Sequence, residues 1–312
     1  MPTFDYLSHH HWLIYDETHN PDAQTKDTAM ALQDSFIRYL PGQNRPLKTA
    51  TGATTTTSQT LASSPAAPEE ATAKPAALLH FYPSARDTIL LGAKDKLLAN
   101  FTAGVAYLID QGYSVSLRPH GGLAVVNDAG VLNIALVSDN NHYPLTIDEA
   151  YEQMVKLIRL TLAPYHLTVE AYEIADSYCP GTFDLVVDGR KIGGIAQRRF
   201  KSGLTTAAYI SVNGDQTARA ELIKHFYEIG QADDRFPSVN PASMISLTDV
   251  LPEADAKELT VSRFKQDILN TIAQFSDYTP GDYLDPELQA IYRPRLEQAN
   301  KRSLSIQPHN NS

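Results

Sequence analysis

Apolar residues recur along the chain at helical and at strand spacing, and these two patterns predict most of its regular elements. Spacings of three and four predict a helix over 94–110. A second helix is predicted from about 147 to 163, because Thr146 and Glu149 form a capping box ahead of a long apolar face. Strict alternation predicts a strand over 113–118.

Several further apolar runs predict strands, and their order along the chain indicates the fold class. The runs at 123–126 and 130–137 are expected to form a hairpin across Asn127 and Asp128. Because strands and helices do not follow a regular β-α-β order, the pattern favours an α+β fold. The other strand-forming runs are 12–16, 77–82, 88–92 and 207–212.

One low-complexity stretch interrupts the predicted domain without ending it. Residues 43–76 are rich in Thr, Ala and Pro and have almost no apolar side chains to bury, so we expect a disordered or extended insertion. The chain is expected to form a single domain over 1–275. Residues 276–312 are expected to form a tail with a short helix near 286–298.

Composition and charge exclude several broad classes of protein. Apolar residues make up 43% of the 312 residues, which is enough for a sizeable core. The net charge of −10 argues against general binding of nucleic acid, which needs a basic face. The sequence has one cysteine, no run of eighteen apolar residues and no signal-peptide pattern. We therefore expect a cytoplasmic protein with no membrane span and no disulfide.

The single cysteine lies in a stretch that predicts a tight loop followed by a hairpin. Pro180-Gly181 directly after Cys179 marks a turn. Asp188-Gly189 lies between two apolar runs and predicts a two-residue hairpin turn, which pairs Lys191 on the returning strand with Val186. A thiolate accepts and releases acyl groups readily. A neighbouring ammonium can activate the thiol and can hydrogen-bond to the carbonyl of a thioester.

Two simpler interpretations of Cys179 and Lys191 stay open at this point. A lone cysteine is most often a small buried hydrophobe, and a lysine on a hairpin is often solvated. A straight strand would also separate the two side chains by about 23 Å, at about 3.3 Å per residue. The loop at Cys179 must therefore fold back over the hairpin if the two are to meet.

A second motif, Arg118-Pro119-His120-Gly121-Gly122, precedes a predicted strand. Paired glycines allow the main chain to come close to a ligand and offer N–H groups to an oxygen. The guanidinium of Arg118 could hold an anion or a carbonyl group. The alternative is a simple glycine turn between two strands, with Arg118 on the surface.

Five segments in the same order resemble the lipoyl and biotin protein ligase family, and within it the octanoyltransferases that use the glycine cleavage H protein. The match covers roughly 80–272, with a weaker similarity at 12–36. It implies the lipoate/biotin protein ligase-like fold, in which helices flank a mixed, mostly antiparallel sheet around an acyl tunnel. The segments are 118–125, 130–133, 177–181, 188–199 and 219–223.

The resemblance also implies roles for individual residues. Cys179 matches the residue that accepts the acyl group, and Lys191 matches the lysine at the acyl carbonyl. The chain departs from the family's usual pattern at Pro119 and His120, and we expect His120 to form a wall of the tunnel. The residues that the resemblance assigns to substrate binding are Arg118, His120, Gly121, Gly122, Gly193 and Gly194.

The implied activity is acyl transfer from glycine cleavage H protein to lipoyl domains of 2-oxoacid dehydrogenase E2 subunits. Cys179 would carry the octanoyl or lipoyl group as a thioester, with Lys191 as electrostatic clamp and proton relay. Exchange of one amide for another is nearly isoenergetic, so we expect no cofactor, ATP or metal. One alternative is an ATP-dependent lipoate–protein ligase, against which Cys179 and Leu123 argue. Another is a non-catalytic protein that binds acyl carriers.

Positive charge is concentrated beside the cysteine. With Lys191, five basic residues fall within twelve positions. We expect this patch to dock an acidic carrier domain. A solvated strand face is the alternative. The residues expected to dock the carrier are Arg190, Arg198, Arg199 and Lys201.

Overall fold

The computed structural model describes residues 5–20, 27–44, 74–82, 87–119 and 121–307. Residues 45–73 of the expected insertion, and His120, lie outside the described residues. The helices are α1 (Asp5–His9), α2 (Thr28–Gln43), α3 (Phe101–Asp110), α4 (Ile147–Leu162), α5 (Gln216–Ile229), α6 (Leu247–Val250), α7 (Glu253–Glu258), α8 (Val261–Ala273) and α9 (Pro286–Leu304). The strands are β1 (His11–Asp16), β2 (Ala76–Phe81), β3 (Thr88–Leu91), β4 (Ser114–Leu117), β5 (Val125–Asn127), β6 (Val131–Asp139), β7 (Glu170–Ala171), β8 (Leu185–Val187), β9 (Arg190–Phe200), β10 (Gly203–Ser211) and β11 (Tyr278–Pro280).

The larger of two sheets has eight strands in the order β11-β1-β2-β6-β10-β9-β8-β7. β1 pairs in parallel with β11 and with β2, whereas the pairs from β2 onward are antiparallel. The expected α+β class with a mixed, mostly antiparallel sheet is therefore confirmed. β11 comes from the segment that we assigned to a C-terminal tail, and it forms one edge of this sheet.

The central strands β6 and β10 are buried at every position. On one face, Leu136 and Ile210 pack in a cluster with α4 and α8. On the other face, Val137 packs with α2 and α9, while Val131 and Tyr209 pack with the second sheet. Alternate residues of one strand thus belong to different parts of the core, because successive side chains point to opposite faces.

The smaller sheet has the strand order β4-β3-β5 and contacts α3 and α5. The hairpin that we expected between 123–126 and 130–137 is wrong. β5 pairs with β3, whereas β6 pairs with β2 along one edge and with β10 along the other. A strand has only two hydrogen-bonding edges, so β6 has none left for β5. The chain passes from the small sheet to the large one between these strands.

The helix expected over 94–110 is divided into two parts. Residues Ala93–Leu97 form a 3₁₀ turn, and α3 begins four residues later. The turn closes because the carboxylate of Asp95 accepts a hydrogen bond from the N–H of Gly92 at 2.8 Å. Leu97 lies at the end of this 3₁₀ turn and is 53% exposed.

Two other helices follow their local signals more closely. α4 begins at the expected capping box, in which the Thr146 hydroxyl accepts from the N–H of Glu149. The helix expected near 286–298 extends to Leu304 as α9, and Leu288 packs it into the cluster that contains α2. Within the ranges that the structure describes, no helix is long and apolar enough to cross a membrane.

Candidate active site

The β8–β9 hairpin places Lys191 where the sequence predicted. Asp188 and Gly189 form its turn with φ angles of +48° and +71°, which are the positive values that a type I′ turn requires. Val186 then pairs with Lys191 across the hairpin. The side chain of Lys191 is fully buried, so the solvated alternative does not hold.

The loop that carries Cys179 folds back over this hairpin and meets Lys191, as the prediction required. The ammonium of Lys191 donates hydrogen bonds to the main-chain carbonyls of Tyr178 and Cys179 at 3.0 and 2.7 Å. It also donates to Ser177 Oγ at 3.1 Å and forms an ion pair with Asp184 Oδ1 at 2.9 Å. The side chain of Lys191 therefore holds the cysteine loop in place by hydrogen bonds to the main-chain carbonyls of that loop.

Asp184 is a site residue that the sequence reasoning missed. Its Oδ2 accepts hydrogen bonds from the N–H groups of Ile174 and Gly181, which lie at the two ends of the cysteine loop. Burial raises the pKa of this carboxyl, and the Lys191 ammonium acts in the opposite direction. A carboxylate directly before the buried run 185–187 was the signal that could have indicated it, since a buried charge needs a partner.

The sulfur of Cys179 meets a different set of donors. The φ angle of Cys179 is +48°, which is uncommon for any residue other than glycine. Its Sγ accepts from Arg118 Nη2 and from the N–H of Leu123, each at 3.2 Å. Arg118 Nη2 also donates to the carbonyl of Leu123 at 2.6 Å. Donors of this kind stabilise a thiolate, and Cys179 is only partly buried, so it is not the inert core cysteine of the simpler interpretation.

The two glycines after His120 have different surroundings. At Gly122 φ is +98°, and a Cβ would lie 2.5 Å from Arg118 Nη2 and 3.0 Å from Cys179 Sγ. At Gly121 nothing lies within 4 Å of a Cβ. Gly122 thus allows the sulfur and the guanidinium to approach the main chain, whereas Gly121 faces open space.

A buried pair of side chains, Asp95 and Tyr227, contacts the main chain at Ala124, just after the glycine pair. Tyr227 Oη donates to Asp95 Oδ1 at 3.0 Å and accepts from the N–H of Ala124 at 3.3 Å. Burial raises the pKa of Asp95 to about 6. The residues of these two contacts are 132 and 103 positions apart in the chain, so no local pattern in the sequence indicates them.

Cys179 lies in the wall of a cavity of about 320 Å³ between the two sheets. Leu90 of β3, Val125 of β5 and Ala207 of β10 make part of the wall apolar, while Asn133 adds a polar group. The apolar part of this wall suits a short acyl chain. Among the described residues, no three His, Cys, Asp or Glu side chains converge as they would around a metal ion.

The two consecutive glycines of β9 have different surroundings: Gly194 lines this cavity, whereas Gly193 lies against the adjacent strand of the sheet. Gly194 lines the cavity, and a Cβ there would lie 3.0 Å from Tyr209 Cε1 and 3.4 Å from Lys191 Cε. A Cβ at Gly193 would lie 2.3 Å from the carbonyl oxygen of Tyr209 on the adjacent strand. Gly193 therefore allows β9 to approach β10, and Gly194 leaves room beside the lysine.

Comparison with known proteins assigns the family. The model of the lipoyl protein ligase A/B catalytic domain matches residues 60–273. The chain belongs to the lipoyl protein ligase A/B family. An octanoyl-[GcvH]:protein N-octanoyltransferase of Bacillus velezensis is 36% identical over 70% of this chain and 77% of its own length. A lipoyl-[GcvH]:protein N-lipoyltransferase of Listeria monocytogenes is 38% identical over 70% of this chain and 80% of its own length. On this evidence the chain is an acyltransferase.

Solved structures of the lipoyl protein ligase A/B family share the fold at low sequence identity. A lipoate-protein ligase A bound with ATP aligns with a TM-score of 0.62 at 14% identity, covering 95% of this chain and 99% of that one. A bi-partite lipoate protein ligase from Thermoplasma acidophilum aligns with a TM-score of 0.59 at 14% identity, covering 97% and 98%. These matches confirm the expected ligase-like fold, and at this identity they show the fold alone.

In this member of the family, the four basic residues expected to dock a carrier do not share one surface. Arg198 turns towards Asp34 of α2. Arg199 donates to two main-chain carbonyls just before α4. The two arginines diverge because neighbouring residues of a strand point to opposite faces. Arg190 is half-buried beside the hairpin turn, and Lys201 is exposed in the turn after β9.

Proposed function

We propose that this acyltransferase moves an octanoyl or lipoyl group from glycine cleavage H protein to lipoyl domains of 2-oxoacid dehydrogenase E2 subunits, with Cys179 as the carrier. The observation that carries the proposal is the sulfur of Cys179, which two N–H donors hold in the wall of a partly apolar cavity. The sequence relatives, whose names specify GcvH, support the donor protein. The acceptor follows from the family resemblance.

In the first half-reaction, Cys179 Sγ attacks the carbonyl carbon of an acyl amide on a lysine of the donor protein. A C–S bond forms, the C–N bond breaks, and the thiol proton ends on the departing amine. Arg118 and the N–H of Leu123 stabilise the thiolate before the attack. No electrons are lost or gained, so the step requires no redox partner.

Lys191 is the group that can stabilise the oxygen of the tetrahedral intermediate. An ammonium has three N–H donors, and four oxygens now surround it. One main-chain contact can therefore be exchanged for the substrate oxygen. The ion pair with Asp184 holds the ammonium of Lys191 in place, so the role assigned to Lys191 is electrostatic stabilisation of that oxygen.

In the second half-reaction, the amine of an acceptor lysine attacks the thioester. A C–N bond forms, the C–S bond breaks, and the amine proton returns to the sulfur. An amide is consumed and an amide is formed over the two steps, so the overall transfer is nearly isoenergetic. The reaction accordingly uses neither ATP nor another cofactor.

The decisive experiment is intact mass spectrometry after incubation with octanoylated H protein and no ATP. We expect an octanoyl adduct that hydroxylamine removes and that is absent in Cys179→Ala. Addition of a lipoyl domain should then discharge the adduct and acylate that domain. Modification of the domain only when ATP and free lipoate are supplied, with no adduct on the enzyme, would contradict the proposal and favour a ligase.

A further inference from the structure

A cluster of three arginines around one carboxylate lies outside the active site. Asp34 of α2 has a side chain that is only 5% exposed. Arg38 from the next turn of α2, Arg198 from β9 and Arg295 from α9 each bring a guanidinium nitrogen to its oxygens, at 3.2, 2.5 and 3.4 Å. We call these three side chains the arginine cluster.

One carboxylate neutralises only one of the three positive charges in the arginine cluster. Arg38 makes a hydrogen bond to Asp34, whereas the contacts of Arg198 and Arg295 lack hydrogen-bond geometry. Arg38 Nε, Arg198 Nη1 and Arg295 Nε are buried and make no hydrogen bond. Excess positive charge is unfavourable in a partly buried position, so the cluster has capacity for a further anionic partner.

The arginine cluster borders an open cavity of about 560 Å³. Arg38, Arg295 and the exposed Lys201 line this cavity, together with one carboxylate, Asp139. The carboxylate of Asp139 accepts the N–H of Asn141. With Arg198 and Asp34 included, the cavity lining and the arginine cluster together contain four positive side chains and two negative ones. The cavity is thus a local region of positive charge on an acidic protein.

The position of this cavity relative to the active site follows from β9. Ile195 and Gln197 line the cavity at Cys179, Arg198 belongs to the cluster, and Lys201 follows the end of the strand. At about 3.3 Å per residue, the arginine cluster begins about 10 Å from Ile195 along the strand. A protein interface of standard size, about 800 Å² per partner, is wide enough to cover both cavities.

We propose that the cavity beside the arginine cluster receives carboxylate side chains of the protein that carries the acyl group. This inference rests on the proposed function, since it assumes a protein donor at Cys179. Charge complementarity favours an acidic partner, and the shared strand places the partner's acyl-lysine near the sulfur. The docking site thus differs from the patch expected from the sequence, because Arg38 and Arg295 replace Arg190 and Arg199.

The test compares a protein donor with a small donor of the same acyl group. The variant is Arg38→Gln with Arg295→Gln, which leaves Arg198 to pair with Asp34. The matched control is Arg293→Gln, which removes an exposed arginine from α9, the helix that carries Arg295. Thioester formation on the enzyme is measured with octanoylated H protein and with the octanoyl thioester of N-acetylcysteamine, which has no protein surface.

We expect the double variant to raise KM for octanoylated H protein about tenfold at low ionic strength, with kcat unchanged. The difference should shrink as salt screens the charges, over a Debye length that falls to about 3 Å at 1 M. Reaction with the small donor should stay within twofold of wild type in both variants. The control should behave as wild type with both donors, and unchanged Tm values would show that the variants are folded.

Three results would overturn the inference. An unchanged KM for H protein would show that the cavity docks nothing relevant. An equal loss with the small donor would place the effect at the active site. If inorganic phosphate raises the Tm of wild type but not of the double variant, while KM for H protein is unchanged, the cavity binds a small anion instead. Failure of the proposed function is distinct, because wild type would then form no thioester with either donor.

Discussion

The buried ion pair between Asp184 and Lys191 predicts a specific response to the substitution Asp184→Asn. The two side chains are 2% and 0% exposed, so the substitution leaves a buried ammonium without its counter-charge. The carboxylate uses Oδ1 for Lys191 and Oδ2 for the N–H groups of Ile174 and Gly181. An amide has only one oxygen, so in either orientation its NH2 group faces another donor.

The expected loss of stability is large for a single substitution. Removal of one partner from a buried ion pair costs about 3–5 kcal/mol of unfolding free energy. At about 2–4 °C per kcal/mol for a domain of this size, Tm should fall by roughly 6–20 °C. Because Lys191 also loses its fixed position, thioester formation on Cys179 should slow about 100-fold, the usual effect of losing a donor to the developing oxyanion.

Urea unfolding of the wild type, Asp184→Asn, Lys191→Met and the double variant measures the coupling. The double variant has no unpaired buried charge, so its loss should be at least about 2 kcal/mol smaller than the sum of the single losses, although it stays inactive. Asp188→Asn is the matched control, because it removes an exposed carboxylate from the same hairpin and should cost less than about 0.5 kcal/mol. The reasoning is refuted if Asp184→Asn unfolds like wild type or if the single losses add.

Two further predictions concern the sulfur side of the site. Gly122→Ala should slow alkylation of Cys179 about tenfold, because a Cβ would lie 3.0 Å from Sγ and the φ of +98° adds strain of about 1–2 kcal/mol. Gly121→Ala should leave the alkylation rate unchanged, since nothing lies within 4 Å of a Cβ there. Equal rates for the two variants would contradict the geometry. Burial raises the pKa of Asp95 from 3.8 to about 6, so its contribution to stability is full below about pH 4 and is lost as pH rises through 6. Relative to Asp95→Asn, wild type should lose about 3 kcal/mol of unfolding free energy between about pH 3 and 8, because the folded and unfolded pKa values differ by about two and each pH unit corresponds to about 1.4 kcal/mol. A pH-independent difference between urea titrations would argue against this assignment.

The parts of the site that the sequence predicted correctly depend on local rules. Asp188-Gly189 fixed the hairpin, because only a turn with two positive φ angles joins its strands so tightly. The turn then determined the pairing of Val186 with Lys191. The start of α4 directly after Thr146 also followed from a local rule, because the cap residue Thr146 and its partner Glu149 are only three residues apart.

The parts that it missed depend on contacts between distant segments. Asp95 and Tyr227 meet only after the small sheet and α5 are assembled, and neither has a local motif. The arginine cluster likewise brings together Arg38 of α2, Arg198 of β9 and Arg295 of α9, and the sequence motifs indicated only Arg198. The alternation along β9 was visible in the sequence, and it could have shown that Arg198 and Arg199 face opposite ways.

In the proposed mechanism, the separation of the two cations at Cys179 lets one site support both half-reactions. Arg118 lies at the sulfur, and Lys191 lies at the main-chain carbonyl of the same residue. Negative charge is on sulfur before attack, moves to the carbonyl oxygen in the tetrahedral intermediate, and returns to sulfur when the acyl group leaves. A single cation placed between these positions would favour one state at the expense of the other. In that mechanism two cations, one of them in an ion pair with Asp184, would stabilise the two positions in turn.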